Sequence, residues 1–202
     1  RNLGIAAGGT VMEDCRVLEA CREGKYTSVL VQTHDKKYVE YRTEHFVNAL
    51  GSGAGKLCDS MGIDAGLYPV RHQAFITRRL PMLGKHGTNL DMLIDRQDYK
   101  GFSAVYGQQI AYTGQIIGCA SPKLDAMRID KNLKVNTKAF LEIVSEMFSE
   151  WIPDLAGVGI QAVWAGYYTE PRYIVDPELG LFVGMRGHGF MLSQYIARMD
   201  VV

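Results

Sequence analysis

Three short stretches carry residue types that could do chemistry. "MRGHGFM" (Met185–Met191) sets an arginine and a histidine among glycines, where a strand pattern gives way to a helix pattern. The first backbone N–H groups of a helix lack partners inside it and stabilise negative charge. The plain alternative is a glycine turn with a surface histidine. "WAGYY" (Trp164–Tyr168) places Tyr167 and Tyr168 side by side at the end of a strand. Neighbouring strand residues face opposite ways, so one phenol would face a pocket while the other packs. Equally, both could be aromatic core or rim residues. "PVRHQAF" (Pro69–Phe75) offers Arg71 as a clamp for a carboxylate and His72 as a polar group facing a pocket.

A fourth stretch, "HFVNALGSGAGKLCDSMG" (His45–Gly62), has the strand–glycine–helix order of a phosphate-binding loop. Two templates test it. A Walker loop, G-x-x-x-x-G-K-[ST], would need a glycine where Leu50 stands and a hydroxyl where Leu57 stands. The dinucleotide fingerprint G-x-G-x-x-G finds Gly51 and Gly53, but Lys56 occupies the third position, and no acidic residue ends a second parallel strand about 20 residues on. The stretch therefore reads as a tight strand-to-helix turn in which glycine permits close packing.

The elements that must position these groups are legible as patterns. "YTSVLVQT" (Tyr26–Thr33) is rich in β-branched residues and predicts a strand. Tyr38–Leu50 predicts one or two more, forming a small meander. Leu57, Cys58 and Met61 share one helical face, with Gly62 as the stop. Tyr68–Arg78 predicts a strand, and the proline- and glycine-punctuated "RRLPMLGKHGTN" (78–89) a loop. "DMLIDR", "FSAVYG", "QIAYTG" and "IIGCAS" predict four short strands separated by glycines. In "NTKAFLEIVSEMFSEWIPDL", Phe140, Ile143, Val144, Met147 and Trp151 recur at helical spacing, Asn136 or Thr137 caps the start, and Pro153 ends the helix. A strand over "VGIQAVWAGYY" and a final strand–turn–helix follow. Strands this close together in sequence imply an antiparallel or mixed sheet.

Composition sets outer bounds. The chain has 202 residues, 47% of them hydrophobic, which suffices for one full domain or two small ones. Lysine plus arginine (22) balance aspartate plus glutamate (22), so no basic footprint points to nucleic acid or an anionic membrane. No apolar run reaches the roughly 18 residues of a membrane helix. No signal peptide is present, so the expected compartment is the cytoplasm. Cys15, Cys21, Cys58 and Cys119 form no C-x-x-C pair and read as reduced, mostly buried thiols, with no metal site.

In its order of motifs the chain resembles the glycine oxidase, sarcosine oxidase and D-amino-acid oxidase superfamily of flavoproteins. The resemblance rests on "FVNALGSGAGKLCDSMGIDAGLYPVRHQAFITRRL", "WAGYY" and "GLFVGMRGHGFMLSQYIARM", in that order. The family's strand ends "VNAAG" before a helix, and "G-I-x-x-x-x-x-P-x-R-x-Q" opens a substrate-domain strand. This chain departs at Leu50, where the family has a second alanine, and after Gly51, where an aromatic is usual. The flavour is that of glycine oxidases, sarcosine oxidase β subunits and FAD-dependent proline dehydrogenases.

The resemblance implies an α+β fold: a mixed, mostly antiparallel sheet with helices on one face as substrate domain (62–177), plus a remnant of an α/β FAD-binding domain (1–61 and 178–202). It implies FAD as cofactor and hydride transfer from the carbon–nitrogen bond of an amino acid or secondary amine. Tyr168, His188 and Arg186 would be catalytic. Val17, Ala49, Gly51, Gly187, His188, Gly189, Phe190 and Met191 would line FAD, and Tyr167, Tyr168 and His72 the substrate. Arg71 and Gln73 become fixtures of the domain junction. The terminal bend and the tryptophan–tyrosine strand are expected to converge on one cleft. The family's opening G-x-G-x-x-G element is not found here, so the chain reads as a C-terminal portion missing roughly 40% of a typical member. The expected partners are a small amine or amino acid and an N-terminal FAD-binding segment or a second copy of the chain. A non-catalytic module or a complementing subunit that keeps the fold remains the alternative.

Overall fold

A computed structural model describes residues 2–84, 87, 89–96, 102–122, 137–170 and 173–199. The chain divides into two compact units, residues 1–68 with 169–202, and residues 69–168. In the first unit a short helix α1 (Asn2–Ala6) precedes a meander of β1 (Arg16–Glu23), β2 (Tyr26–Gln32) and β3 (Tyr38–Thr43). Both pairings are antiparallel, with Val29 of β2 opposite Ala20 on one side and Tyr41 on the other. The predicted second strand within 38–50 shrinks to one parallel bridge between Asn48 and Leu181.

Helix α2 (Ala54–Ser60) follows a single 3-10 turn at Gly51–Gly53. Its apolar residues serve two packing groups. Leu57 joins Ala20, Val29 and Val31, while Cys58 joins Ala65 and Leu181. The glycine loop's packing role is visible at Gly55, where an added Cβ would lie 2.9 Å from the Leu67 carbonyl oxygen. Two short strands near the end of the unit, β9 (Ile174–Asp176) and β10 (Leu181–Val183), pair antiparallel before helix α4 (Gly189–Met199).

The second unit is built on a five-stranded sheet. In chain order its strands are β4 (Tyr68–Thr77), β5 (Leu93–Asp95), β6 (Phe102–Ile110), β7 (Gln115–Pro122) and β8 (Ile160–Glu170), arranged β5-β6-β7-β4-β8. β5–β6, β6–β7 and β4–β7 are antiparallel. The structure corrects one prediction here. "QIAYTG" is no separate strand: Gln109 and Ile110 complete β6, and the rest is the hairpin turn into β7, with Tyr112 and Gly114 at φ +71° and +68°. Gly107 does not divide β6 but sits inside it.

Helix α3 (Thr137–Trp151) covers one face of this sheet. Phe140, Ile143, Val144, Met147 and Phe148 bury against Phe75, Phe102, Val105, Ile116 and Ala120, with Trp151 half-buried at the edge. The cap proposed at Asn136 lies outside the described residues, as does His86. His34 and His45 are exposed.

The two faces of the sheet make opposite demands on glycine. At Gly118 a Cβ would collide with the Tyr106 carbonyl oxygen and lie 2.5 Å from the Phe75 ring, whereas at Gly166 it would meet nothing within 4 Å. Gly118→Ala should therefore cost about 1–3 kcal/mol by overpacking. Gly166→Ala should stay within about 0.5 kcal/mol of the parent. Urea denaturation of both variants checks this, and equal effects would contradict the assignment of faces.

Candidate functional site

The face of the five-stranded sheet opposite α3 forms a hollow of about 260 Å³. The pleat assembles it from alternate residues: His72 and Ala74 on β4, Tyr106 and Gln108 on β6, Ile117 and Cys119 on β7, and Trp164, Gly166 and Tyr168 on β8. Tyr168 therefore lines the hollow, whereas Tyr167 is not among its lining residues and, by the same pleat, points to the opposite side. Arg71 and Gln73, both buried, likewise flank His72 without lining the hollow.

His72 is the most constrained polar group of this face. It is 8% exposed, and its ring stacks on Tyr168 with centroids 3.9 Å apart. Its Nδ1 is buried with no hydrogen-bond partner among the described residues. Burial holds its pKa down at about 4, so the ring is neutral at physiological pH. The Tyr168 hydroxyl lies 3.4 Å from that of Tyr106. Burial, chiefly, and the neighbouring Cys119 and Tyr168 push the Tyr106 phenol far up, and burial raises the Cys119 thiol as well. Burial thus favours the uncharged forms of His72, Tyr106 and Cys119.

In the first unit the bend before α4 holds the other named residues. Arg186 adopts φ +51° and Gly187 φ +99°. The Arg186 Nε lies 2.7 Å from Glu170 Oε2, and the Tyr173 hydroxyl lies 2.6 Å from His188 Nδ1. His188 N–H donates to the Met185 carbonyl at 2.7 Å, and Leu192 N–H to the His188 carbonyl at 3.0 Å. Helix α4 buries none of its residues, and Phe190 and Met191 are 94% and 68% exposed.

Ala49 and Gly51 are exposed beside the start of α2, and Val17 packs on the Ala20–Val29–Val31–Leu57 group. The strand end that precedes them is pinned by Asn48. This side chain is 1% exposed and donates to the Ala54 carbonyl (3.2 Å) and the Cys58 thiol (3.5 Å), while its Oδ1 accepts from Leu50 N–H (3.3 Å). Its backbone bonds Gly180 and Phe182.

Sequence reasoning missed Tyr106, Gln108 and Cys119 in the hollow, and Glu170 and Tyr173 at the bend. The signal for the first three was the period-two spacing of polar residues in β6 and β7. None existed for Glu170 and Tyr173, whose partners lie more than a dozen residues away.

The family described as "DAO: FAD dependent oxidoreductase" matches residues 2–199. The chain belongs to this family. Among solved structures, it is similar to L-proline dehydrogenase from P. horikoshii (26% identity, TM-score 0.70), covering 97% of this chain and 50% of that one. Glycine oxidase from Geobacillus kaustophilus follows at 19% identity and TM-score 0.69, covering 96% and 49%. Iminodiacetate oxidase from Chelativorans sp. BNC1 shares 14% identity at TM-score 0.68, covering 98% and 51%. The chain thus spans about half the length of the solved structures it matches. No curated protein sequence matches it.

The DAO family is FAD-dependent, and the bend fits one edge of such a group. The first-turn amides of α4 have no carbonyl partners within the helix, the glycine-rich turn keeps the backbone bare, and Phe190 and Met191 stand uncovered beside it. Its neutral, buried histidine is the feature of this DAO-family chain that titration can check. An unfolded histidine titrates near 6.5 and the folded His72 near 4, so the unfolded chain binds more protons between those values. The stability tied to neutral His72 is complete above about pH 6.5 and is lost as the pH falls toward 4. His72 ring resonances should titrate accordingly, and urea midpoints should fall with pH more steeply than in His72→Phe. A ring titrating near 6.5 would contradict the burial argument.

Proposed function

We propose that the protein carrying this chain oxidises the carbon–nitrogen bond of an amino acid or secondary amine, in the glycine, sarcosine, proline or D-amino-acid class. The observation that carries the reading is the hollow, where an unpartnered His72, a stacked Tyr168 and a largely apolar wall share one face of a sheet in a DAO-family chain. Three structures of similar fold bear names that share an amino or imino acid. FAD, when bound, accepts the hydride that leaves the carbon beside the nitrogen.

The chain's residues take the remaining tasks. Tyr168 offers its hydroxyl to the substrate, and the His72 stack fixes the tilt of its ring. The apolar lining excludes water from the reacting carbon and favours an unprotonated amine, because a buried ammonium without a counter-charge is costly. In the first unit the amides after Arg186, with His188 held by Tyr173, would hold the edge of FAD on which negative charge is stabilised. The Arg186–Glu170 pair keeps the bend in its left-handed conformation. Val17, Ala49 and Gly51 would meet FAD through their backbone.

Anaerobic bleaching of the bound flavin by glycine, sarcosine, proline and D-alanine tests the reading. At least one should bleach it, and Tyr168→Phe should lower that substrate's kcat/KM by about tenfold, the worth of one hydrogen bond. Failure of every amine and amino acid would end it. The 202 residues alone, which contain no G-x-G-x-x-G, should quench FAD fluorescence only above about 1 μM, and tighter binding would show that these residues hold the dinucleotide unaided.

A further inference from the structure

The bend before α4 holds one ring by three hydrogen bonds. His188 N–H donates to the Met185 carbonyl at 2.7 Å, and the His188 carbonyl accepts from Leu192 N–H at 3.0 Å, so its backbone is fixed on both sides. The third bond fixes the ring: the Tyr173 hydroxyl lies 2.6 Å from His188 Nδ1. The two rings stand 6.1 Å apart at 52°, so this bond, and not flat stacking, sets their relation. Exposed side chains ordinarily hop between rotamers. His188 is exposed, yet it has a partner that selects one orientation.

A neutral imidazole carries one N–H and one bare nitrogen, and the bond that either makes decides which is which. Two polarities are open to this pair. Tyr173 O–H donates to a bare Nδ1, or Nδ1–H donates to the phenol oxygen. The first is the stronger bond. A phenol is far more acidic than a neutral imidazole N–H. A bare ring nitrogen also accepts better than a phenol oxygen, whose lone pair is shared with its ring. The separation of 2.6 Å is short for a bond donated by N–H and ordinary for one donated by O–H. A carboxylate at Nδ1 would favour a charged ring, but Glu170 lies on Arg186 Nε instead, at 2.7 Å.

We propose that Tyr173 is a positioning residue: its hydroxyl donates to His188 Nδ1 and so keeps His188 in the tautomer whose proton sits on Nε2. His188 then has no bare nitrogen. Nδ1 is occupied, and Nε2–H, which has no partner among the described residues, is left for a ligand. His188 is therefore a fixed hydrogen-bond donor and not a base that takes a proton from an amine. It adds one oriented N–H to the first-turn amides of α4, which lack partners within the helix. Such a set recognises an acceptor edge on which negative charge is stabilised. The inference rests on the reading of the bend as the part that meets FAD and deepens it, by giving His188 one protonation state and Tyr173 the task of imposing it.

Histidine ring ¹⁵N NMR reads the tautomer directly, because protonated and bare ring nitrogens resonate far apart. The wild-type chain needs no variant for this and has five histidines to assign. At about pH 8.5, where an ordinary imidazole is neutral, His188 should show a bare Nδ1 and a protonated Nε2, without averaging between tautomers. Tyr173→Phe keeps the ring and removes the hydroxyl, and it should bring averaged signals at both His188 nitrogens. In the FAD-loaded protein that carries this chain, Tyr173→Phe should shift the flavin midpoint potential downward, because a loosened donor stabilises the reduced ring less. His188→Gln, which keeps an N–H donor but no basic nitrogen, should hold a higher potential than His188→Leu. A protonated Nδ1 in the wild type, signals or a potential unmoved by Tyr173→Phe, or equal potentials in His188→Gln and His188→Leu would each overturn the proposal. None of these readouts needs a substrate. If they come out as expected while no amine or amino acid bleaches the flavin, the donor role stands and the oxidation reading falls. If amines bleach FAD while Nδ1 carries the proton, the reverse holds.

Discussion

A β-strand must send alternate side chains to opposite faces of its sheet, and the second unit is organised by that constraint. Phe75, Val105, Ile116 and Ala120 go to the side that α3 seals with Phe140, Val144 and Phe148. Their strand neighbours, His72, Tyr106, Cys119 and Tyr168, line the hollow on the opposite side. That side carries a histidine whose Nδ1 has no hydrogen-bond partner among the described residues. Gly118 shows how closely the sealed side is packed: only a residue without a side chain fits between the Tyr106 backbone and the Phe75 ring.

The first unit depends on a different device. Its strands are short and its loops long, so side-chain hydrogen bonds take over work that sheet ladders do elsewhere. The Asn48 amide closes three bonds within the turn before α2, and its backbone bonds tie that turn to Gly180 and Phe182 beside β10. At the far end, Glu170 and Tyr173 hold Arg186 and His188 in a bend whose backbone is left-handed at a non-glycine residue. The same bend leaves α4 with an apolar surface that nothing in the described chain buries.

These two devices connect to the chemistry through dielectric. Burial on the face that carries the hollow holds His72 down at about 4 and pushes the Tyr106 and Cys119 groups up. In the first unit the bend carries charge, as the ion pair of Arg186 with Glu170.

Much of this was readable before any coordinates. The β-branched run at Tyr26–Thr33, the strand pattern at Tyr68–Arg78, the 3.6-residue recurrence from Phe140 to Trp151, and the order of the "VNALG", "WAGYY" and "MRGHGF" stretches specified the strands, the amphipathic helix and the family, because local composition, periodicity and motif order are properties of the chain itself. The mistaken strand at "QIAYTG" arose because alternating polar and apolar residues continue into a hairpin turn, which is decided by the left-handed backbone at Tyr112 and Gly114. Which of Tyr167 and Tyr168 lines the hollow, that Tyr106 meets it from β6, and that Glu170 and Tyr173 grip the bend were decided only by tertiary structure. Sheet register and sidedness depend on contacts between residues tens of positions apart, and no local pattern encodes which distant partner a side chain will meet.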